Sequence, residues 1–180
     1  ELENLLERPE VSPLSRISWM GIAGYLHCRR ATDMARGNAI LARAVQLGEE
    51  YGLEQSGPFL LLMFDVVEGL SYAPDIGAFA DSLERLRRCI LPASLSNWAY
   101  YQYFLGCYQM RIAHYAEASR TFEEGIRLAS QTGIPAEQIR TFQAKYIGAL
   151  MGEERFAEAI AVNDELIDAT RVITPTTARS

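Results

Sequence analysis

The chain has 180 residues, of which 49% are apolar and 22% charged. That suffices for a core burying roughly 70% of the unfolded chain's surface, and it excludes wholesale disorder. The net charge of −6 opposes binding to a phosphate backbone, so no direct nucleic-acid contact is expected of this chain.

Residues 1–13 read as a linker or a short N-terminal helix. Beyond them, apolar residues recur at three- and four-residue spacing, with no strand-type alternation and no Asn-Gly or Asp-Gly hairpin signal. Helices are expected over 14–30, 33–51, 58–72, 75–91, 96–111, 115–132, 136–151 and 155–170, and 171–180 as a Thr-Pro-containing flexible tail. The punctuation agrees. Thr32 or Asp33 suits the cap of the second helix, and Ser94 or Ser96 that of the fifth. Gly52 and Gly133 suit left-handed helix ends, and Pro58 and Pro135 suit the first turn of the helix that follows.

The segments repeat. Residues 34–52 align with 115–133 at an offset of 81, placing Leu41 on Phe122, Ala44 on Gly125, Leu47 on Leu128 and Gly52 on Gly133. Related segments begin at Ile76 and Phe156, so successive starts lie 42, 39 and 41 residues apart. A period near forty is the mark of stacked supersecondary units. The expected fold is all-α, with one helical repeat domain over 14–170 built from about four antiparallel helix pairs.

Residues 105–129 carry a more specific pattern. Leu105-Gly106 precedes a turn, Tyr115 follows it, and Ala118, Phe122 and Gly125 come next at helical spacing. Small residues let two helices approach, and the aromatic rings fill the space left. This segment resembles a tetratricopeptide repeat. The fourth unit keeps Phe156 and Ala159 but has Tyr146-Ile147 in place of Leu-Gly, and the first two keep only the apolar spacing. The usual repeat is shorter than these units. In length and in helix endings they look like the sensor arrays of MalT-type and LuxR-type bacterial transcriptional regulators.

The resemblance implies a right-handed superhelical α-solenoid whose first helices line a concave groove. Carried over position by position, that groove takes Trp19, Leu26, Arg29 and Arg30 from the first unit and Phe64, Asp65 and Glu68 from the second. It takes Tyr100, Tyr103, Cys107 and Arg111 from the third, and Lys145 and Met151 from the fourth. It also implies a non-catalytic, effector-sensing or protein-interaction module of a regulator, or alternatively a stand-alone scaffold that grips a peptide. The occupant is a protein, a peptide or a small effector. Four repeats without an obvious polar cap also point to self-association.

The residues themselves leave choices open. Trp98, Tyr101, Leu105 and Tyr108 share one face of a helix, and Tyr100, Tyr103 and Cys107 share another. Such a helix is either sandwiched between neighbours or presents a recognition surface. Arg29-Arg30 either clamps an anionic group or complements a helix end. Asp65 and Glu68 either pair with those arginines or mark a wet side.

Enzyme chemistry finds no support. His27 and Cys28 are adjacent and diverge on a helix, and His114 falls in a turn. Metal-ligand spacing, a nucleophile motif and a phosphate-binding loop are all missing. No catalytic residue, cofactor or metal is expected. Cys28, Cys89 and Cys107 read as reduced and buried. The longest apolar run, 58–64, stops at Asp65, far too short for a bilayer, and no secretory signal pattern opens the chain. A cytoplasmic setting without membrane contact is expected. The start at Glu1 favours a piece excised from a longer protein.

Overall fold

The computed structural model describes residues 10–29 and 33–171. Among them the chain is all-α, with eight helices and no strand. These are α1 (Pro13–Arg29), α2 (Met34–Glu50), α3 (Gly57–Tyr72), α4 (Ile76–Cys89), α5 (Leu95–Arg111), α6 (Tyr115–Ser130), α7 (Ala136–Gly152) and α8 (Phe156–Arg171). The second helix of every pair begins at the residue from which the repeat was counted: Met34, Ile76, Tyr115 and Phe156. Arg30, Thr32 and most of both expected terminal segments lie outside the described residues.

Local chemistry explains the boundaries. The Asp33 carboxylate caps α2 by accepting from the Arg36 N–H at 2.9 Å, and Asp75 does the same for α4 through Ala78. Ser56 caps α3, with Pro58 in its first turn. Each cap satisfies an amide that has no partner within the helix. Ser94 stands before α5 without a side-chain cap bond, and Pro135 stands one residue ahead of α7.

Three helix ends share one geometry. The amides of Leu53, His114 and Arg155 reach back to the carbonyls of Gly48, Gln109 and Leu150, across a left-handed residue at Gly52, Ala113 and Glu154. This is the Schellman arrangement. Gly133 does not follow its expected counterpart Gly52. The helix α6 stops at Ser130, Gly133 is not left-handed, and the Thr132 hydroxyl donates instead to the Ala129 carbonyl.

The chain forms two compact units, one ending at Pro92 and one starting at Ala93. In the first, α1 packs on both α2 and α3, and α3 packs on α4. The contact between α1 and α2 is close because Gly24 and Gly37 meet: a Cβ on Gly37 would lie 2.8 Å from the Gly24 carbonyl oxygen. In the second, α6 packs on α5 and on α7, and α7 on α8. Phe122, Ala118 and Ala149 are fully buried there.

Candidate interaction surface

In the first unit, α1 and α3 bring three of the expected residues, Arg29, Asp65 and Glu68, into one neighbourhood. Gly21 has no side chain, so α3 comes near enough that a Cβ there would sit 3.0 Å from the Asp65 Oδ2. Next along α1 comes Tyr25, which sequence reasoning missed. Its O–H donates to Glu68 Oε1 at 3.2 Å, and its oxygen accepts from Arg29 Nη1 at 2.9 Å. The Arg29 guanidinium also lies 5.8 Å from the centroid of the Tyr25 ring. Arg29 therefore reaches Glu68 through a tyrosine hydroxyl and not by a direct ion pair. The four-residue spacing of Tyr25 and Arg29 was the signal that could have revealed it.

Asp65 is held differently. Desolvation, with the Glu68 charge beside it, pushes its carboxyl up to about 6. The same two influences, desolvation first, raise Tyr25, while Arg29 acts the other way. Phe64 is half-buried on the same helix. Around these groups the outer face of α3 exposes apolar surface: Leu61 is 66% exposed and Tyr72 65%. Helical geometry puts Leu61, Asp65, Glu68 and Tyr72 on one side of α3. Trp19 and Leu26 are exposed on α1 as well, but across the helix from its buried face of Ile17, Gly21, Gly24 and Cys28. Arg30 lies outside the described residues.

In the second unit, the tyrosine face of α5 is engaged by α7. Tyr103 stacks on Phe142 with ring centroids 4.7 Å apart and meets Phe122 edge-on at 6.2 Å. Tyr100 meets Phe142 edge-on at 5.7 Å, and its hydroxyl donates to Gln138. Of the two arrangements open for this helix, packing between neighbours describes Tyr100 and Tyr103. Cys107 joins them: burial pushes its thiol up to about 11, against the weaker pull of Lys145 and a hydrogen bond from Tyr103. The structure thus gathers Tyr103, Cys107 and Lys145, with Lys145 on the exposed side of α7. Arg111 closes α5 half-buried, and Met151 is exposed near the end of α7.

All three cysteines are free. Cys28 is buried, but Cys89 and Cys107 are only partly so, contrary to the expectation that all three would be core residues. Cys89 closes α4 at the edge of the helix pair, and its thiol points back to the Arg85 carbonyl. Among the described residues no group of His, Cys, Asp and Glu could hold a metal ion. Among them, too, no helix is long and apolar enough to cross a membrane.

No family model matches the chain. No curated protein matches it either. Among solved structures it is similar to BtubC (BKLC) from P. vanneervenii, with 16% identity over 97% of this chain and 72% of that one, and a TM-score of 0.74. At that identity the likeness establishes a shared helical fold.

Proposed function

We propose that this chain is a non-catalytic, tetratricopeptide-like binding module, in which first helices present a surface to a protein, peptide or small effector. In this reading it is the sensing part of a bacterial transcriptional regulator and works in the cytoplasm. The observation that carries the binding role is the outer face of α3. Two large apolar side chains, Leu61 and Tyr72, stand about two-thirds exposed on either side of the Asp65–Glu68 pair. Exposed apolar surface around oriented polar groups is what a recognition site requires. The Arg29–Tyr25–Glu68 chain holds Glu68 in place. The right-handed superhelical arrangement belongs to the same proposal. Its support is the repeated pairing of a small residue with an apolar one, Gly24 with Leu41 and Gly106 with Phe122.

The test is a thermal-shift screen with peptides, sugars, nucleotides and lipids, on the wild type and on a Leu61→Ala/Tyr72→Ala variant. A ligand at a hundred times its dissociation constant adds about 2.7 kcal/mol of stability. The variant alone should melt within about 0.5 kcal/mol of wild type, since both side chains are exposed. The reading requires a ligand whose shift disappears in the variant. A ligand that shifts both proteins equally binds elsewhere and removes the α3 face as the site.

A further inference from the structure

In the second unit, α6 and α7 reveal how one helix pair stacks on the next. The Tyr115 ring at the start of α6 occupies the space that a side chain on Gly152, at the end of α7, would need. In mid-helix, Gly125 faces Phe142, and Ala118 and Phe122 share a core with Ala149 and Tyr146. Towards the far end, Ile126 packs on the cluster that holds Phe142. The two helices therefore run antiparallel, seamed by Tyr115, Phe122 and Ile126 on one side and Phe142, Tyr146 and Ala149 on the other.

Shifted by the 41-residue repeat, the α6 side of that seam becomes Phe156, Asn163 and Ile167 on α8, with Ile160 between them. Phe156 is 56% exposed, Ile160 61% and Ile167 40%. The matching side lies on α1. Gly24 meets Leu41 as Gly106 meets Phe122, which sets the register of the first helices. Trp19 then stands where α7 has Phe142, and Leu26 where it has Ala149. Both are exposed, with Ile22 beside them. Each apolar stripe thus occupies the repeat position of one half of the α6–α7 seam, with Asn163 where α6 has Phe122.

Charge runs the same way. The α1 sequence holds Arg16, His27 and Arg29 and no acid. On α8, exposed Asp164 and Asp168 flank the apolar stripe, while Glu158, paired with Arg155, and Glu165 lie on the far side of the helix.

We propose that α1 of one copy docks on α8 of a second copy, head to tail, taking there the place that α7 takes on α6. Ile167 meets Trp19 in this seam, and Phe156, in the place of Tyr115, lies over Arg29, the counterpart of Gly152. The interface is heterologous, so each docked pair leaves one α1 face and one α8 face free, and assembly proceeds past the dimer. Added salt weakens it, because Arg29 and the two flanking α8 carboxylates are solvent-exposed.

Sedimentation velocity over a concentration series tests this. The wild type is expected to grow beyond dimers as concentration rises. Trp19→Glu spoils only the α1 face and Ile160→Glu only the α8 face, and each alone weakens association by at least about tenfold. Mixed in equal amounts, the two variants pair through their intact faces and stop at a heterodimer. Circular dichroism checks that both remain helical, as residues this exposed should allow. A wild type monomeric at every concentration, growth that ends at a dimer, or variants that fail to complement each other overturns the proposal. None of these readouts involves Leu61 or Tyr72, so this result stands apart from that of the ligand screen.

Discussion

A methyl group placed on Gly106 would lie 2.7 Å from the ring of Phe122. The missing side chain on α5 is what lets the tip of the α6 ring reach its partner, and Phe122 is fully buried. Leu41 covers Gly24 in the same manner in the first unit. Phe122→Ala is therefore expected to cost about 3–5 kcal/mol, as a buried aromatic lost to a cavity. Gly106→Ala gains up to about 1 kcal/mol of helix propensity but overpacks by about 1–3 kcal/mol, so it should be net destabilising. Gly133→Ala, with open space around it, is the control and should be near neutral. Urea unfolding of the three variants checks the order.

Tyr103 lies between Phe142 and Phe122, so its truncation is expected to act on stability first. Tyr103→Ala should cost about 2–4 kcal/mol, somewhat less than a fully buried aromatic. Tyr103→Phe keeps the rings packed and should cost under about 1.5 kcal/mol. Melting curves of both variants distinguish packing from a surface role. A Tyr103→Ala protein melting like wild type would show that the stack carries little energy.

The raised Asp65 carboxyl makes stability depend on pH in a defined direction. An unfolded aspartate titrates near about 4, whereas Asp65 in the folded chain is pushed up to about 6 by desolvation and then by Glu68. Between those values the folded chain holds a proton that the unfolded chain has released. Stability should therefore fall as pH rises from about 4 to about 6, and stay lowered above that. Partial solvent access reduces the effect to about 1–2 kcal/mol. Asp65→Asn should remove this slope and be the more stable protein at neutral pH. Urea midpoints for both proteins from acid to neutral pH check it.

Ala113 and Glu154 adopt φ of 60° and 62°, where glycine is the comfortable residue. The repeat needs that backbone to close each turn, and here it is taken by residues bearing a Cβ. Ala113→Gly and Glu154→Gly are each expected to stabilise by about 0.5–1 kcal/mol. Gly52→Ala, at a φ of 64°, should destabilise by about 1 kcal/mol. Thermal unfolding of the three single variants shows whether both signs hold.

Helix number, pairing and period were legible in the sequence, because apolar spacing and caps act over a few residues. The starts Met34, Ile76, Tyr115 and Phe156 follow from such local signals. The Schellman turns at Ala113 and Glu154 were not legible, since neither residue announces a left-handed backbone. Gly133 misled for the converse reason: glycine permits that geometry without requiring it.

The sequence by itself determined the all-α class, the forty-residue rhythm and the residue types offered at each helix face. Only the tertiary structure decided which faces are covered. Tyr103 and Trp19 are both aromatic residues on first helices, yet α7 lies over one and the other is 53% exposed. Spacing along a helix states that residues share a face. What that face meets depends on a neighbour roughly forty residues away, through packing that no local pattern encodes.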